Sequence, residues 1–347
     1  MKRLNRIVFS VVCCVFASQA VWAQATIDTV KEHQLNEVVV KGVRAAKEAP
    51  YAVANIKKSE LQQFSRTGKE LPFLLSRTPG ILAWGENGLG TGTSYMRIRG
   101  AAGSRINVTL DGVALNSPED QTVFWANMNS YAALLGSVQI QRGVGSSTNG
   151  DGAFGGSISM ATAFPSLIPT AEVTGSFGSF NTYNTGVSFS TGLLGKHLIF
   201  DGAYHETATD GYIDGTSGRS GSYYGGLTWL ADNFKVSYKN IGNFEKTGQA
   251  WSGVLASDYD TNFTLMSDGI YTYKDMDAAG LGKFNILTAG LVRNGKGDYT
   301  IVPYTMRDGS LWNKTTDNFY QNHNILSAAW TPNDHWSHNF AVHYTYG

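Results

Sequence analysis

The chain has 347 residues, 42% of them hydrophobic, and its 27 basic residues balance its 27 acidic residues. This balance gives no support to nucleic-acid binding, which normally shows a clear basic excess. The 40 Gly, 17 Tyr, 17 Phe and 8 Trp, with no apolar run of helical membrane length beyond the N-terminus, are typical of an exported β protein whose strands have one polar and one apolar face. An ordinary secreted β-sandwich shares much of this composition.

The N-terminus has the three-part pattern of an export signal. Three basic residues precede an apolar stretch: Lys2, Arg3 and Arg6. We therefore expect a signal peptide over residues 1–23, with cleavage before Gln24. A retained anchor is the alternative, although the apolar stretch is short for a bilayer. Cys13 and Cys14 both lie in this segment, so we expect no disulfide, thiolate metal site or cysteine nucleophile in the mature chain.

Residues 24–50 form a polar extension with one β-prone run. That run is Leu35, Asn36, Glu37, Val38, Val39 and Val40. Such an extended segment can add to a partner's exposed sheet edge through main-chain hydrogen bonds. The alternative is an ordinary first strand of the domain that follows.

Residues 51–163 are predicted to form a compact mixed α+β domain. Thr67–Glu70 has the spacing of a capping box and predicts a short helix that ends before Pro79. The predicted strands are Tyr95–Arg99, Arg105–Leu110, Ser137–Gln141 and Ser157–Met160. A second short helix is expected around Asn129–Leu135, and Asp111-Gly112 predicts a tight turn.

Residues 164–347 show alternation with a period of two. In one predicted strand the two faces carry Tyr183, Thr185, Val187 and Phe189 against Asn184, Ser188 and Ser190. The connections are alternately short and long. The short ones are Leu194-Gly195, Ala231-Asp232 and Pro332–Asp334; the long ones span 207–220 and 242–316. Short turns on one side and long loops on the other are typical of outer-membrane β-barrels, and a soluble sandwich has no reason to show them.

Five motifs follow one another along the chain: Leu35–Val40, Leu74–Ile81, Met96–Gly100, Val108–Val113, and Val138–Gly143 with Gly155–Ile158. In this order they resemble the TonB box, in its Bacteroidetes-type form, and four plug motifs of the TonB-dependent receptors. The resemblance covers essentially all of the mature sequence. It implies a mixed α+β plug domain (51–163) followed by antiparallel transmembrane β-barrel strands (164–347), incomplete at about seven of an expected 22 or so.

The resemblance also assigns roles to residues. Leu35–Val40 would bind TonB. Arg99 and Arg142 would form an ionic latch with acidic residues on barrel strands beyond residue 347, since a buried charge is tolerated only when it is paired. The alternative is that both arginines are exposed strand-end residues. Val144 replaces the family's usual proline after Arg142-Gly143, which leaves that turn less rigid.

Further plug positions match the family motifs. They are Arg97, Gly100, Asp111, Gly112, Gly143, Gly155 and Gly156. Aromatic candidates for ligand contact lie where family members present their ligand-facing loops: Trp84, Tyr95, Phe124 and Trp125. Packing between plug and barrel is the alternative role for each of these four residues.

The implied function is TonB-dependent active import of a scarce large solute across the outer membrane, with a ferric siderophore or related metal chelate as the first candidate. The alternatives are a receptor for haem, cobalamin or a glycan, and a non-transporting receptor. TonB with its inner-membrane motor complex, outer-membrane lipid and a small-molecule ligand are the expected partners. Closed single-chain barrels have even strand numbers, so we expect a fragment of a longer receptor or a truncated remnant.

No enzyme, cofactor, metal site or nucleic-acid partner is expected. Gly143–Thr148 resembles a phosphate-binding loop superficially but lacks its Gly-Lys-Ser/Thr ending. Asp201 and His205 could suggest a hydrolytic or metal cluster with Glu206. However, Asp201 and His205 fall on the predicted lumen face, where polar residues are expected anyway.

Overall fold

The structure is a computed structural model that describes residues 44–45, 52–144, 153–252, 281–293, 299–333 and 335–347. The predicted signal peptide and the run Leu35–Val40 lie outside the described residues. No helix in the described part of the chain is long and apolar enough to cross a membrane.

The first part of the described chain is a plug of short helices on a mixed sheet. Its helices are α1 (Lys58–Ser65), α2 (Leu71–Leu75) and α3 (Tyr131–Leu134), with 3-10 turns at Gly103–Arg105 and Trp125–Met128. Its strands are β1 (Val53–Lys57), β2 (Ile81–Gly85), β3 (Ser94–Ile98), β4 (Ile106–Leu110), β5 (Val113–Ala114), β6 (Leu135–Arg142) and β7 (Gly156–Thr162). The four predicted plug strands are confirmed as β3, β4, β6 and β7, each within two residues of its predicted bounds.

Five of these strands form one sheet in the order β1-β6-β7-β4-β5. β4 and β7 pair in parallel, and the other neighbours pair antiparallel. β2 and β3 form a separate hairpin. β1 therefore lies at one edge of the sheet, with β6 as its only partner among the described strands.

The helix predicted from Thr67–Glu70 begins later than expected. The Thr67 hydroxyl donates to the Phe64 carbonyl at 2.7 Å, so it closes the unpredicted helix α1 and does not open a new one. Helix α2 begins at Leu71, with Pro72 in its first turn. Proline is tolerated there because the first N–H groups of a helix have no intrahelical partner. The capping-box prediction was therefore wrong.

The sheet separates apolar from polar side chains because successive residues of a strand point to opposite faces. On one face Val138, Ile140 and Ile158 are completely buried and pack in a single core with Leu61 and Phe64 of α1. The other face carries the half-buried Ser137 and a row of buried polar side chains: Asn107, Thr109, Gln139, Gln141, Ser157 and Ser159. The plug therefore has an apolar core on one side of its sheet and a polar layer on the other.

Seven long strands form a second, antiparallel sheet. They are β8 (Thr170–Phe177), β9 (Tyr183–Ser190), β10 (Leu198–Thr209), β11 (Gly218–Leu230), β12 (Phe234–Gly248), β15 (Thr316–Asn333) and β16 (Trp336–Tyr346). Each pairs with the next in chain order. The long connection between β12 and β15 contains the hairpin of β13 (Ala289–Arg293) and β14 (Tyr299–Pro303). It begins later than predicted because β12 continues to Gly248.

The two faces of this second sheet differ in the way the alternation predicts. Large apolar residues are exposed on the outer face, as for Val173 at 82% and Phe340 at 62%. On the inner face Ser222, Ser237 and Asn243 are buried at 0–1% exposure. An apolar outer face and a polar inner face are the arrangement of strands with lipid outside and a polar interior. We refer to the inner face of β8–β12, β15 and β16 as the barrel wall.

Candidate functional site

The plug meets the barrel wall through a buried ion pair. Asp111 lies in the two-residue turn between β4 and β5, where Asp111 and Gly112 have φ values of 50° and 85°. Turns with two positive φ values favour Asp-Gly. The Asp111 Oδ2 accepts a hydrogen bond from Lys239 Nζ of β12 at 2.6 Å, and the two side chains are only 5% and 11% exposed.

Thr162, at the end of β7, completes the coordination of this carboxylate. Its backbone N–H donates to Asp111 Oδ1 at 2.9 Å, and its hydroxyl donates to Oδ2 at 2.8 Å. Lys239 Nζ also contacts the Thr162 hydroxyl. Burial opposes ionisation of Asp111, but Lys239 and the Thr162 donors outweigh it and lower the pKa of the carboxyl. Asp111 is thus a buried carboxylate with its charge neutralised from the barrel wall.

A second buried contact region between plug and wall contains two acidic side chains. Glu70, just before α2, is 2% exposed, and Glu245 of β12 is 3% exposed. Glu245 accepts hydrogen bonds from Asn129 Nδ2 at 2.8 Å and from the Thr93 hydroxyl at 3.4 Å. Glu70 accepts the backbone N–H groups of Gly92 and Ser130, but its Oε2 has no partner.

The pKa of Glu70 is shifted in the direction opposite to that of Asp111. Burial, and then repulsion by Glu245, raise the pKa of Glu70 well above its usual value. Among the described residues, no basic side chain forms a salt bridge with either carboxyl. One acidic contact of the plug with the wall is therefore neutralised by a lysine, and the other favours a protonated carboxyl.

The structure brings together Arg99 and Arg142, the two residues predicted to form a latch. Arg142 Nη1 donates to the Pro79 carbonyl at 2.8 Å. A Cβ added at Gly143 would lie 3.2 Å from Arg99 Nη1, so the glycine leaves room for that guanidinium. Within the described residues neither arginine forms an ion pair, and the latch remains a prediction.

The four aromatic candidates occupy different environments. Trp84 of β2 and Tyr95 of β3 face each other in the hairpin and stack at a centroid distance of 5.5 Å, with Arg97 over the Trp84 ring at 5.8 Å. Trp84 is 40% exposed and Phe124 is 59% exposed. Trp125 is 5% exposed and belongs to the plug core. Three of the four aromatic side chains can thus be reached from outside the plug, and Trp125 is a packing residue in this conformation.

Phe124 borders a cavity of about 420 Å³ between the plug and the barrel wall. The plug side is formed by residues 114–118, 122–124 and 127–128, and the wall side by Gln321, His323, His343 and Thr345. Small-molecule pockets generally have volumes of roughly 300–1,000 Å³. The cavity is therefore large enough for a small ligand, and it is lined by aromatic, amide and imidazole groups.

His323 and His343 in this cavity contact each other and the Thr345 hydroxyl, which lies 2.9 Å from His323 Nδ1 and 2.6 Å from His343 Nε2. Their facing ring nitrogens lie 3.1 Å apart, and the ring centroids are 5.3 Å apart with the planes inclined by 20°. Because an imidazole nitrogen lies a little over 1 Å from its ring centre, these values place the rings edge to edge, with the nitrogens pointing at each other. No group of three metal-binding side chains occurs among the described residues.

Several residues of this site were not predicted from the sequence: Lys239, Glu245, Asn129 and Thr162. The acidic environment of Glu70 was not predicted either. The sequence does contain a signal for Lys239, because Lys235, Ser237 and Lys239 alternate with large apolar residues along the chain. A lysine on the inner face of a barrel strand needs a carboxylate from whatever fills the interior. The aspartate of the predicted turn was the available candidate.

Replacing Glu70 with glutamine tests the acidic contact. Because the pKa of Glu70 is raised in the folded plug, the stability that its protonated form contributes is complete below the ordinary glutamate pKa. It is lost as the pH rises from there through the folded pKa. Glu70→Gln should remove this loss and raise the denaturation midpoint of the plug at pH 8 more than at pH 5. Glu60→Gln on the exposed face of α1 is the control and should leave the pH profile unchanged. Equal pH profiles for Glu70→Gln and the parent protein would contradict the assignment.

Comparison with known proteins agrees with this architecture. Residues 45–157 match the family model described as the TonB-dependent receptor plug domain. No curated protein sequence matches the chain. Solved structures do: the ferric-catecholate import receptor Fiu from K12 E. coli matches with a TM-score of 0.62 and 14% identity, over 87% of this chain and 38% of that chain.

Two further solved structures are similar. The ferric yersiniabactin uptake receptor FyuA from Yersinia pestis has a TM-score of 0.58 and 15% identity, over 88% of this chain and 42% of that one. The ferripyoverdine receptor of the outer membrane of Pseudomonas aeruginosa has a TM-score of 0.58 and 12% identity, over 89% and 36%. The chain spans about two fifths of the length of these receptors. Residues 45–157 are a TonB-dependent receptor plug domain, and the antiparallel strands that follow have the fold of these receptors' barrel strands.

Proposed function

We propose that this chain supplies the plug and part of the barrel of an energy-coupled importer that moves a scarce large solute across the bacterial outer membrane. The observation that carries the proposal is the plug packed on the polar barrel wall through Asp111 and Lys239, while the opposite face of the same strands is apolar. A wide barrel leaks unless its lumen is filled. A plug that closes it must then move to pass solute.

Energy coupling is assigned to the extension before the plug. The run Leu35–Val40 is proposed as the TonB box, which would pair as a strand with TonB and its inner-membrane motor complex. This mode of pairing uses main-chain hydrogen bonds and suits a β-branched segment. The proposed location is the outer membrane, reached through a signal peptide over residues 1–23.

A ferric siderophore or a related metal chelate is the proposed ligand. The exposed platform of Trp84, Tyr95 and Arg97 and the cavity beside Phe124 provide aromatic faces and a cation for a large, polar, partly aromatic solute. Similar folds belong to proteins described as receptors for ferric catecholate, ferric yersiniabactin and ferripyoverdine. Haem, cobalamin and glycan are the alternative ligands.

Arg99 and Arg142 are proposed as a further latch between plug and barrel. Both arise from plug motifs that converge beside Gly143 and the Pro79 carbonyl. Carboxylates of other barrel strands would pair with them, as Asp111 pairs with Lys239. We propose a receptor and transporter and no catalytic role for any residue of the chain.

The coupling proposal is tested by proline at Val39. Proline removes the backbone N–H that β-pairing with TonB needs. Val39→Pro should abolish energised uptake of a ferric chelate by cells that carry the receptor, and it should leave equilibrium binding of the same chelate unchanged. Thr26→Pro, in the polar extension outside the run, is the matched control and should retain uptake. A Val39→Pro receptor that imports normally would exclude the TonB-box assignment. A parent receptor that binds the chelate but does not import it would favour the non-transporting alternative.

Two neighbouring aromatic residues separate ligand contact from packing. Phe124→Ala should weaken chelate binding, with the assembled amount of receptor unchanged, because the side chain is exposed beside the cavity. Trp125→Ala should destabilise the plug by about 3–5 kcal/mol, because it empties a buried aromatic site. Titration of the chelate against receptor in membranes, with denaturant midpoints for the plug, measures both effects. Normal binding by Phe124→Ala would remove this cavity from the proposed ligand site.

A further inference from the structure

Arg44 anchors the extension to the plug a few residues after the proposed TonB box. Its guanidinium enters the polar face of the plug sheet. Nη1 donates to the Ser137 hydroxyl at 2.9 Å, and Nη2 donates to the carbonyls of Ser137 at 3.2 Å and of Ser159 at 3.0 Å. Nε donates to the Ser159 hydroxyl at 3.3 Å. One side chain thus bridges β6 and β7, which are neighbouring strands in the plug sheet.

The next residue strengthens this anchor. The backbone N–H of Ala45 donates to Gln139 Oε1 at 2.7 Å, and Gln139 Nε2 donates back to the Ala45 carbonyl at 3.3 Å. The same amide nitrogen contacts Asn55 Oδ1 of β1 at 3.0 Å. The chain is therefore attached to the sheet before it reaches the edge strand β1 at Val53.

Arg44 also interacts with the charge that joins plug and barrel. Burial lowers the pKa of Arg44 to about 10, against an opposing attraction from Asp111. The guanidinium is therefore positive at neutral pH. The two contacts also meet on one strand: Arg44 binds the Ser159 carbonyl of β7, and the next residue, Met160, accepts the backbone N–H of Asp111 at 2.9 Å.

Tension on the extension acts on these two attachments differently. The four hydrogen bonds of Arg44 end on one guanidinium and share the load, so they must break together. Hydrogen bonds to a charged group are also stronger than neutral ones. In contrast, β1 is an edge strand whose pairing with β6 begins at Val53 opposite Gln141. Pulling from that end breaks its hydrogen bonds one after another.

We propose that Arg44 is the positioning residue for force transfer in this receptor: its withdrawal from Ser137 and Ser159 is the first event when the extension is pulled, and it removes a support of the β7 segment that holds Asp111 in place. The proposal rests on the energy coupling proposed above. It identifies one contact that links tension on the extension to the ion pair between plug and barrel wall.

Single-molecule pulling on the receptor in a lipid bilayer tests the proposal without TonB. Because Cys13 and Cys14 both lie in the predicted signal peptide, Leu35→Cys provides a thiol handle in the extension. The expected trace has one sharp rupture from Arg44 and a second, weaker event from β1. The segment Ala45–Ala52 separates them, and at roughly 3.5 Å per extended residue it adds at most about 28 Å of length.

Three variants make this test specific. Arg44→Gln should lose the first rupture and retain the second. Arg44→Lys should show the first rupture at reduced force, because one ammonium cannot reproduce the fork of the guanidinium. Arg66→Gln is the matched control, since Arg66 is an exposed plug arginine paired with Glu172 at 3.5 Å, and its trace should equal that of the parent protein. A first rupture that persists unchanged in Arg44→Gln would overturn the proposal.

The link to the ion pair has its own readout. The force that releases the plug should depend non-additively on Arg44→Gln and Asp111→Asn, because the two substitutions remove neighbouring contacts to the same segment of β7. Strict additivity would show that Arg44 is only a structural anchor and would overturn the link to the barrel. Failure of these pulling tests is distinguishable from failure of the proposed function, which the uptake of Val39→Pro decides independently.

Discussion

A polar plug can pack against a polar barrel wall only when the charges buried between them are neutralised. Removing a charged group from water costs several kcal/mol, and an unpaired one is tolerated poorly. Asp111 and Lys239 meet this constraint: they lie 2.6 Å apart, and Thr162 occupies the remaining positions on the carboxylate. This pair fixes the position of the turn that carries Asp111 relative to β12, the strand that carries Lys239.

The same interface contains a contact that is much less satisfied. Glu70 has an unpartnered Oε2 and lies near Glu245, so its carboxyl favours protonation. The interface thus combines one carboxyl whose charge is neutralised with one whose oxygen has no partner. In this arrangement Arg44 connects the neutralised contact to the extension.

Much of the fold could be predicted because its signals are local. Asp111-Gly112 specifies its own turn, and the alternation of Tyr183 to Ser190 specifies which side of a strand faces outward. The helices were harder. Helix α1 has only Leu61 and Phe64 as buried residues, so its sequence shows little apolar periodicity. It also has no Ser, Thr, Asp or Asn at its N-cap to mark where the helix begins. Thr67 was read as the start of a helix although its hydroxyl closes the preceding one.

The candidate site could be predicted only in part, because its contacts join distant segments. The inner position of Lys239 followed from the alternation, but its meeting with Asp111, 128 residues away, depends on how the plug docks. The burial of Glu70 near Glu245, where each repels the other, runs against the rule that like charges avoid one another, and no sequence pattern indicates it. Of the four aromatic candidates, Trp125 differs from its neighbour Phe124 only through the short 3-10 turn that directs it into the core.

The most direct test of the account is the free energy of plug unfolding in a mutant cycle on Asp111 and Lys239. Urea titrations of the receptor in lipid vesicles, followed by protease cleavage of the plug, provide this quantity. Asp111→Asn and Lys239→Met should each cost about 3–5 kcal/mol, and the double variant should recover most of that loss, because breaking a buried pair costs more than replacing both partners. Losses of at most about 1 kcal/mol in both single variants, as expected for an exposed pair such as Arg66 and Glu172, would contradict the claim that this pair holds the plug in the barrel.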